Sequence, residues 1–182
     1  MSHAHLPDVT PDLLARAANI RLACFDVDGT LTDGRIFIDQ DGREAKAFDV
    51  GDGQGLVQLR RFGVKIALIT ARDSQVALKR GAELGADTYI AAKDKLACVR
   101  ELCGKYGLQL NQVAFMGDDL PDIPPLRVVG LGVAPANAHP WVSPRARWHT
   151  RARGGEGAAR ELCDLLLSAQ GHVDGLLAEL DA

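Results

Sequence analysis

Two aspartates follow a short apolar run, at a point where a buried strand would pass into a turn. The run extends from Leu22 to Phe25, and Asp26 and Asp28 come after it, just before Gly29. In open α/β folds the carboxyl ends of strands carry the functional sites, and two acids crowded there repel each other unless a cation lies between them. A simple aspartate-rich turn would account for Asp28 and Gly29, but not for Asp26 within the apolar segment. The pair therefore predicts a metal site with a nucleophile and an acid.

Further apolar segments also end in reactive residues. Thr70 follows one of them, Asp118 and Asp119 follow another, and Lys95 stands near the start of a predicted helix between the two. Parallel strands would bring these side chains to the same sheet edge as Asp26. Phosphoryl transfer needs such a set. A carboxylate attacks phosphorus, and a Mg²⁺ ion held by a few carboxylates neutralises the phosphate. A hydroxyl and an ammonium hold the equatorial oxygens of the phosphoryl group. A second acid protonates the leaving alkoxide.

In order and spacing, these residues resemble the four motifs of the haloacid dehalogenase superfamily of phosphatases. The motifs are Asp-x-Asp-Gly-Thr from Asp26, the strand-end Thr70, the helix-start Lys95 and Gly-Asp-Asp around Asp118. The resemblance implies that Asp26 is the nucleophile and Asp28 the general acid/base. It also implies that Mg²⁺ is held by Asp26, the backbone carbonyl of Asp28, and Asp118. Thr70 and Lys95 would then hold the transferring phosphoryl group.

Several of these residues have a simpler alternative. Thr70 could merely cap the following helix, and Lys93 competes with Lys95 for the phosphate. The order of the motifs favours phosphate binding by Thr70 and Lys95. Asp119 and Asp122 could each bind a ligand or only cap and orient their neighbours. Of these two acids, Asp119 is the one we assign to substrate binding.

The spacing of the motifs leaves no room for the cap domain that many members of this superfamily carry. Between Asp26 and Thr70 there is space only for a hairpin and one helix, and between Thr70 and Lys95 only for a helix and a short strand. From about residue 8 to 170, the chain resembles one cap-less family, the 3-deoxy-D-manno-octulosonate 8-phosphate phosphatases. The stretches that carry this resemblance are 32–34, 46–50, 52–53, 71–74, 117–122, 138–140 and 153–161.

This second resemblance implies a phosphomonoester hydrolase that acts on 3-deoxy-D-manno-octulosonate 8-phosphate in lipopolysaccharide synthesis, with Mg²⁺ as cofactor. It also implies a homotetramer, in which the hairpins form a central barrel and a neighbouring subunit helps to close each site. The hairpin at 35–50 would then be paired in the oligomer, because an unpaired edge invites aggregation. The alternative is a hairpin that extends the sheet of a monomer.

Two arginines are candidates for the anionic groups of the substrate. Arg72, just past Thr70, suits a carboxylate through bidentate contact, unless it only pairs with Asp73. Arg153 lies in a Gly-Gly turn, which could bring it and backbone N–H groups towards an anion in a neighbouring site. The alternative is a flexible loop before the last long helix.

The chain departs from the family pattern at three positions. Gly51 and Glu156 stand where many members carry arginine, and Ala71 stands where they commonly carry glycine. The residues of the four motifs are intact, so these changes bear on the contacts to the sugar acid and not on phosphatase chemistry.

The elements that must position these residues alternate between strand and helix from residue 53 to 135. This alternation predicts an α/β fold, a doubly wound, Rossmann-like parallel sheet with helices on both faces, a β-hairpin insertion and no cap. We treat residues 1–182 as one domain, with a helical stripe of leucines in the tail 171–182. The strands are expected at 22–25, 64–69, 88–90, 113–116, 128–133 and 147–150, and the helices at 11–18, 53–62, 74–84, 94–106, 121–126 and 157–170.

The composition narrows the class of protein. The 182 residues carry a formal net charge of −3, which gives no basic bias towards nucleic acid or a membrane surface. The four cysteines contain no Cys-x-x-Cys pair, as is typical of a reducing compartment. There is no signal-peptide pattern and no apolar run of membrane-spanning length. We therefore expect a cytoplasmic protein whose partners are a small sugar acid phosphate and other copies of itself.

Three other functions are compatible with parts of this pattern. A phospho-accepting receiver domain also gathers Asp, Thr and Lys on such a sheet, but in another order and without an acid such as Asp28. A non-catalytic module, like the similar domain fused to some sialic-acid cytidylyltransferases, would not need the catalytic residues that this chain retains. A phosphatase for another sugar acid phosphate, such as N-acylneuraminate 9-phosphate, would share the whole site.

Overall fold

A parallel β-sheet forms the centre of the protein in the computed structural model, which describes residues 3–181. The strands are β1 (Leu22–Phe25), β2 (Phe37–Ile38), β3 (Glu44–Ala45), β4 (Lys65–Ile69), β5 (Asp87–Tyr89), β6 (Val113–Met116), β7 (Leu131–Ala134) and β8 (Trp148–His149). Six of them form one sheet in the order β5-β4-β1-β6-β7-β8, and every pair in it is parallel. β1 therefore lies between β4 and β6, which brings the carboxyl ends of three motif-bearing strands side by side.

Helices cover both faces of this sheet. They are α1 (Pro11–Asn19), α2 (Val50–Arg61), α3 (Gln75–Leu84), α4 (Lys95–Tyr106), α5 (Ile123–Val128), α6 (Ala158–Ala169) and α7 (Val173–Leu180). Apolar side chains of α1, α2, α3 and α6 share one core cluster, and those of α4 and α5 share a second. Because successive strand residues point to opposite faces, Ala23 and Phe25 join the first cluster while Leu22 and Cys24 join the second. The prediction of a doubly wound α/β fold is confirmed.

Local sequence signals fix the ends of the two helices that begin near the sheet edge. The side chain of Ser74 accepts from the backbone N–H of Ala77 at the start of α3, and Asp94 does the same at the start of α4. Such caps satisfy N–H groups that have no partner within the helix. Both helices end at a glycine in the left-handed conformation, Gly85 with φ of 63° and Gly107 with φ of 66°, where a side chain would be strained.

The predicted hairpin is present but shorter than expected. β2 and β3 pair antiparallel, with Phe37 opposite Ala45 and Ile38 opposite Glu44, and they form a two-stranded sheet separate from the main one. Phe37 and Ile38 are 63% and 66% exposed. Two strands alone bury little apolar surface, so the hairpin gains little stability from its own pairing.

The prediction of a strand over 128–133 is wrong at its start. Val128 is the last residue of α5, and β7 begins only at Leu131. The proline at the start of α5 is compatible with a helix start, and the helix continues through Val128 because the backbone N–H of Val129 still donates to the carbonyl of Pro125. Within β7, a Cβ at Gly132 would lie 2.4 Å from the carbonyl oxygen of Leu126, so glycine allows the strand to lie close to α5.

The leucine stripe of the tail forms a helix, as predicted. It is α7, and it begins soon after α6 ends, with His172 stacked on the ring of Phe62 at a centroid distance of 4.4 Å. Among residues 3–181, no helix is both long and apolar enough to cross a membrane.

Candidate active site

The carboxyl ends of adjacent strands bring the predicted side chains together. Asp26 follows β1, Thr70 follows β4 and Asp118 lies just past β6. The backbone N–H of Asp26 continues the ladder by donating to the carbonyl of Met116 at 2.9 Å. These strand ends open into a pocket of about 130 Å³, lined by Asp26, Asp28, Thr70, Ala71, Arg72, Lys95, Asp119, Pro121 and Asp122.

Lys95 is the lysine that enters this pocket. Its Nζ lies 2.6 Å from Oδ1 of Asp26 and 2.6 Å from Oδ1 of Asp122, and all three side chains are almost fully buried. Burial opposes the charge on the ammonium, but the two carboxylates outweigh it and raise the pKa of Lys95. Lys93, the competing candidate, is exposed on the surface. Because the N-cap Asp94 starts α4 at Lys95, the ammonium is directed towards the strand ends.

Three carboxylates crowd the same corner of the site. Asp26, Asp118 and Asp122 each offer an oxygen within 4.8 Å of the others. Burial and the neighbouring acids hold the pKa of Asp26 well above its usual range, although Lys95 works in the opposite direction. Burial and Asp122 also raise the pKa of Asp118 to about 6. Such crowding is what a cation relieves, and an all-oxygen donor set suits Mg²⁺, so the residues present fit this ion.

Asp122 already has partners for both of its oxygens. Oδ1 accepts from Lys95, while Oδ2 accepts from the backbone N–H groups of Asp118 and Asp119, each at 3.1 Å. Burial raises the pKa of Asp122, against the attraction of Lys95. In the structure Asp122 therefore joins Lys95 to the loop that carries Asp118, and these contacts favour the orienting role among the two alternatives for this acid.

The loop after β1 packs tightly against Asp118. Gly29 has φ of 94°, and a Cβ there would lie 2.2 Å from Oδ2 of Asp118. The hydroxyl of Thr30 donates to Oδ1 of the same aspartate at 3.0 Å. The carbonyl of Gly29 accepts from the amide of Asn137 at 2.9 Å. Only glycine allows the first acidic motif to approach the last one so closely.

Asp28 is bound at both oxygens, and one of its partners was not predicted. Thr70 donates its hydroxyl to Oδ2 at 3.2 Å, and Lys46 donates from Nζ to Oδ1 at 2.5 Å. Lys46 comes from the hairpin, just past β3. It lies two residues after Glu44, which alternation places on the same side of a strand, and this spacing was the signal available in the sequence.

Arg72 lines the pocket, as its predicted role in substrate binding requires, and its ion-pair partner is Glu44 and not Asp73, the acid of the alternative. Its guanidinium donates to Oε2 of Glu44 at 3.1 Å and is 45% exposed. Glu44 also accepts from the hydroxyl of Ser74 at 2.6 Å, and these bonds, against the effect of partial burial, lower the pKa of its carboxyl. Asp73 is exposed and is not the partner of Arg72 in the structure.

The alternative that Thr70 merely caps the next helix does not match the geometry. Ser74 provides the cap of α3, while the hydroxyl of Thr70 accepts from the backbone N–H of Arg72 and donates to Asp28. Asp119 also lines the pocket, and its Oδ1 accepts from the backbone N–H of Leu120. Thr70 and Asp119 are therefore both pocket residues, as their predicted roles require.

Arg153 lies apart from this pocket. It borders a smaller cavity of about 80 Å³ together with Asp33, Arg35, Asn137, Gly154 and Glu156. The N–H groups of its Gly-Gly turn are used within the chain, since Gly154 donates to Asn137 at 2.6 Å and Gly155 donates to the carbonyl of Thr30 at 3.1 Å. These N–H groups support the loop after β1, and contact of Arg153 with an anion in a neighbouring site stays a prediction.

Known proteins share both the sequence and the shape of this chain. A family model described as haloacid dehalogenase-like hydrolase matches residues 91–162. A 3-deoxy-D-manno-octulosonate 8-phosphate phosphatase from Yersinia pestis is 45% identical over 168 residues, which cover 92% of this chain and 90% of that protein.

Two solved structures extend this comparison. A hypothetical protein from Xanthomonas campestris is 61% identical, with a TM-score of 0.94 and coverage of 97% of each chain. The phosphatase of the same name from Moraxella catarrhalis, solved with magnesium, phosphate and 3-deoxy-D-manno-octulosonate (KDO), is 37% identical, with a TM-score of 0.91 and coverage of 94% of this chain and 99% of that one.

Proposed function

Because the chain belongs to the 3-deoxy-D-manno-octulosonate 8-phosphate phosphatase family of the haloacid dehalogenase-like hydrolases, we propose that it is a Mg²⁺-dependent phosphatase that hydrolyses this phosphate ester. The products are 3-deoxy-D-manno-octulosonate and inorganic phosphate. One observation carries the proposal: a buried carboxylate, Asp26, lies beside the ammonium of Lys95 in a pocket that also holds Asp28. The identity of the substrate in this proposal is taken from the names of the similar proteins.

In the first half of the reaction, Asp26 attacks the phosphorus and forms an aspartyl-phosphate. Lys95, whose ammonium already touches Asp26, offsets the negative charge that the substrate brings into a buried site. Thr70 turns its hydroxyl to a phosphoryl oxygen. Asp28 gives a proton to the leaving sugar oxygen, which departs as an alcohol.

In the second half, Asp28 takes a proton from the water that attacks the aspartyl-phosphate, and Asp26 is restored. Asp118, Asp26 and the backbone carbonyl of Asp28 are the groups that would hold Mg²⁺. When bound, this ion neutralises negative charge on the phosphoryl oxygens. Asp122 keeps Lys95 in place throughout, because its hydrogen bonds tie the lysine to the backbone of the Asp118 loop.

The sugar acid is recognised by Arg72, whose half-exposed guanidinium lies in the pocket wall next to Glu44. A guanidinium binds a carboxylate through two parallel hydrogen bonds. Ala71 is a pocket residue, whereas Glu156 borders the separate cavity near Arg153 and Gly51 lines neither of them. Of the departures from the family pattern, Ala71 is therefore the one that bears on the choice among sugar acid phosphates, N-acylneuraminate 9-phosphate included.

The assembly is a homotetramer built through the hairpin, and the protein acts in the cytoplasm in lipopolysaccharide synthesis. Support for the assembly comes from the exposed side chains of Phe37 and Ile38 on a two-stranded sheet that has no further partner strand among residues 3–181. The cytoplasmic location stays a prediction from the sequence.

A phosphate-release panel with Mg²⁺ tests the activity. We expect turnover of 3-deoxy-D-manno-octulosonate 8-phosphate well above that of N-acylneuraminate 9-phosphate and of neutral sugar phosphates, and no turnover after removal of the ion with EDTA. Equal rates on neutral and acidic sugars would refute the substrate assignment.

Asp26→Asn tests the nucleophile in the same panel. The amide cannot form the acyl phosphate, so turnover should fall by at least about 10³-fold. The fold should survive, because burial already disfavours the charged form of Asp26. Retained turnover with an unchanged thermal unfolding curve would contradict the assignment.

A further inference from the structure

Lys46 is a buried lysine on an otherwise exposed hairpin. None of its side-chain surface is accessible, whereas Phe37 and Ile38 on the opposite strand are 63% and 66% exposed. Its ammonium lies 2.5 Å from Oδ1 of Asp28 and 3.3 Å from Oε1 of Glu44. Burial of a lysine costs hydration and rotamer freedom. The cost is offset here by two carboxylates, one of which belongs to the first acidic motif.

Lys46 does not reach the space where a substrate would lie. Asp28 is among the described residues that line the pocket, and Lys46 is not. Any influence of Lys46 on the reaction must therefore pass through the two carboxylates that it holds, and of these only Asp28 lines the pocket, whereas Glu44 acts on it through Arg72.

The two oxygens of Asp28 have different partners, and only one partner is free to leave. Oδ2 accepts from the hydroxyl of Thr70, which lines the pocket and is assigned to the phosphoryl group. When Thr70 turns to the phosphate, Oδ2 loses this bond while Oδ1 keeps the bond to Lys46. The carboxyl group is then fixed at one oxygen and open to the substrate at the other.

We infer that Lys46 is a positioning residue for the general acid/base: it holds Oδ1 of Asp28 so that Oδ2 faces the ester oxygen of the substrate. This inference rests on the proposed function. As the bond from phosphorus to Asp26 forms, the bond from phosphorus to the ester oxygen breaks, and the proton on Oδ2 passes to that oxygen. In the second half, Oδ2 receives a proton from the attacking water.

Leaving-group dependence separates this role from a structural one. The sugar alkoxide needs the proton from Asp28, whereas p-nitrophenolate leaves without it. In Lys46→Met, we expect kcat on 3-deoxy-D-manno-octulosonate 8-phosphate to fall by at least about 100-fold, and kcat on p-nitrophenyl phosphate to fall by less than about 10-fold. KM for the sugar phosphate should change by less than about threefold, because uniform binding is not affected.

Two further variants complete the experiment. Lys46→Arg keeps a cation and should recover at least about a tenth of the lost kcat. Lys105→Met is the matched control, because it breaks another Lys–Asp ion pair, the 2.7 Å contact to Asp87, at the far end of α4, and it should leave both rates unchanged. Should Lys46→Met fail to give folded protein, Lys46→Gln serves in the same comparison.

The outcomes separate this inference from the proposed function. A wild-type protein that hydrolyses neither substrate would refute the proposed function. A wild type active on both, with equal losses on both substrates in Lys46→Met or a raised KM at unchanged kcat, would refute the positioning role alone.

Discussion

At the scale of single residues, the site places buried carboxylates next to lysine ammonium groups that offset their negative charge. Lys95 is paired with Asp26 and Asp122, and Lys46 is paired with Asp28. Among residues 3–181 no lysine forms an ion pair with Asp118, whose Oδ1 accepts from the hydroxyl of Thr30. Burial and Asp122 raise its pKa to about 6, so a bound cation would favour the charged form of this carboxylate.

The first prediction concerns this aspartate and the metal. Mg²⁺ should raise the thermal unfolding temperature of the wild type, since a ligand at about 100 times its Kd adds about 2.7 kcal/mol of stability. Asp118→Asn should lose most of this shift. Asp119→Asn is the control and should keep it, because Asp119 is exposed and points to the loop N–H of Leu120. An unchanged shift in Asp118→Asn would contradict the ligand assignment.

A second prediction at this scale distinguishes the two lysines at the start of α4. Lys95→Met removes the cation between two buried carboxylates, and we expect phosphate release to fall by about 10²–10³-fold. Lys93→Met should leave the rate unchanged, because the side chain lies on the surface. Similar losses in both variants would show that the surface charge near the pocket matters more than the buried contact.

At the scale of elements, α2 and α6 are joined by a buried acid that takes no part in the proposed chemistry. Oδ1 of Asp52, in the first turn of α2, accepts from the backbone N–H of Arg160 at 2.7 Å near the start of α6. Oδ2 has no hydrogen-bond partner in the described part of the chain. Burial raises the pKa of Asp52 to about 6, although the N–H of Arg160 acts in the opposite direction.

The third prediction follows from the sign of this shift. The folded protein keeps the proton of Asp52 up to about pH 6, whereas the unfolded chain releases it near the ordinary value of 3.8, so ionisation lowers stability as the pH rises through this window. Between about pH 4 and about pH 8, the free energy of unfolding of Asp52→Asn should therefore gain about 2–3 kcal/mol relative to the wild type.

Urea unfolding at several pH values measures this difference. Asp73→Asn provides the control, because Asp73 is exposed and its replacement should give a difference that does not change with pH. A pH-independent difference for Asp52→Asn as well would mean that Asp52 is ionised in the folded protein at low pH.

At the scale of the whole molecule, the hairpin is an element whose apolar side chains are not covered by the rest of residues 3–181. One of its strands presents two large apolar side chains to solvent, Phe37 and Ile38, while the end of the other buries Lys46 against the active site. An exposed apolar strand edge invites pairing with another chain. The same hairpin thus contacts the site of its own chain and carries the exposed apolar surface on which the proposed assembly rests.

The fourth prediction tests this surface. Replacement of Phe37 and Ile38 by serine should convert the proposed tetramer into smaller species in light scattering at micromolar concentration, without loss of the folded state. Val128→Ser removes another exposed apolar side chain, 44% accessible on α5, and should leave the size unchanged. A wild type that is already monomeric would refute the assembly.

The order of elements could be read from the sequence because it depends on local signals. Apolar runs, helix caps such as Ser74 and Asp94, and the glycines that end α3 and α4 lie within a few residues of what they control. The length of the hairpin strands and the start of β7 could not be read in this way. The start of β7 depends on the close packing of Gly132 against the backbone of Leu126, which neighbouring residues do not reveal.

By itself, the sequence determined which acids, hydroxyl and lysine stand at the ends of apolar segments, and hence the chemistry that they can perform. Only the tertiary structure decided the partners: Lys46 is 18 residues from Asp28 along the chain, and Lys95 is 69 residues from Asp26. The physical reason is that the chemical type of a side chain is given by its own position in the sequence. Its hydrogen-bond partner, in contrast, depends on how strands and loops that are far apart in the sequence pack together.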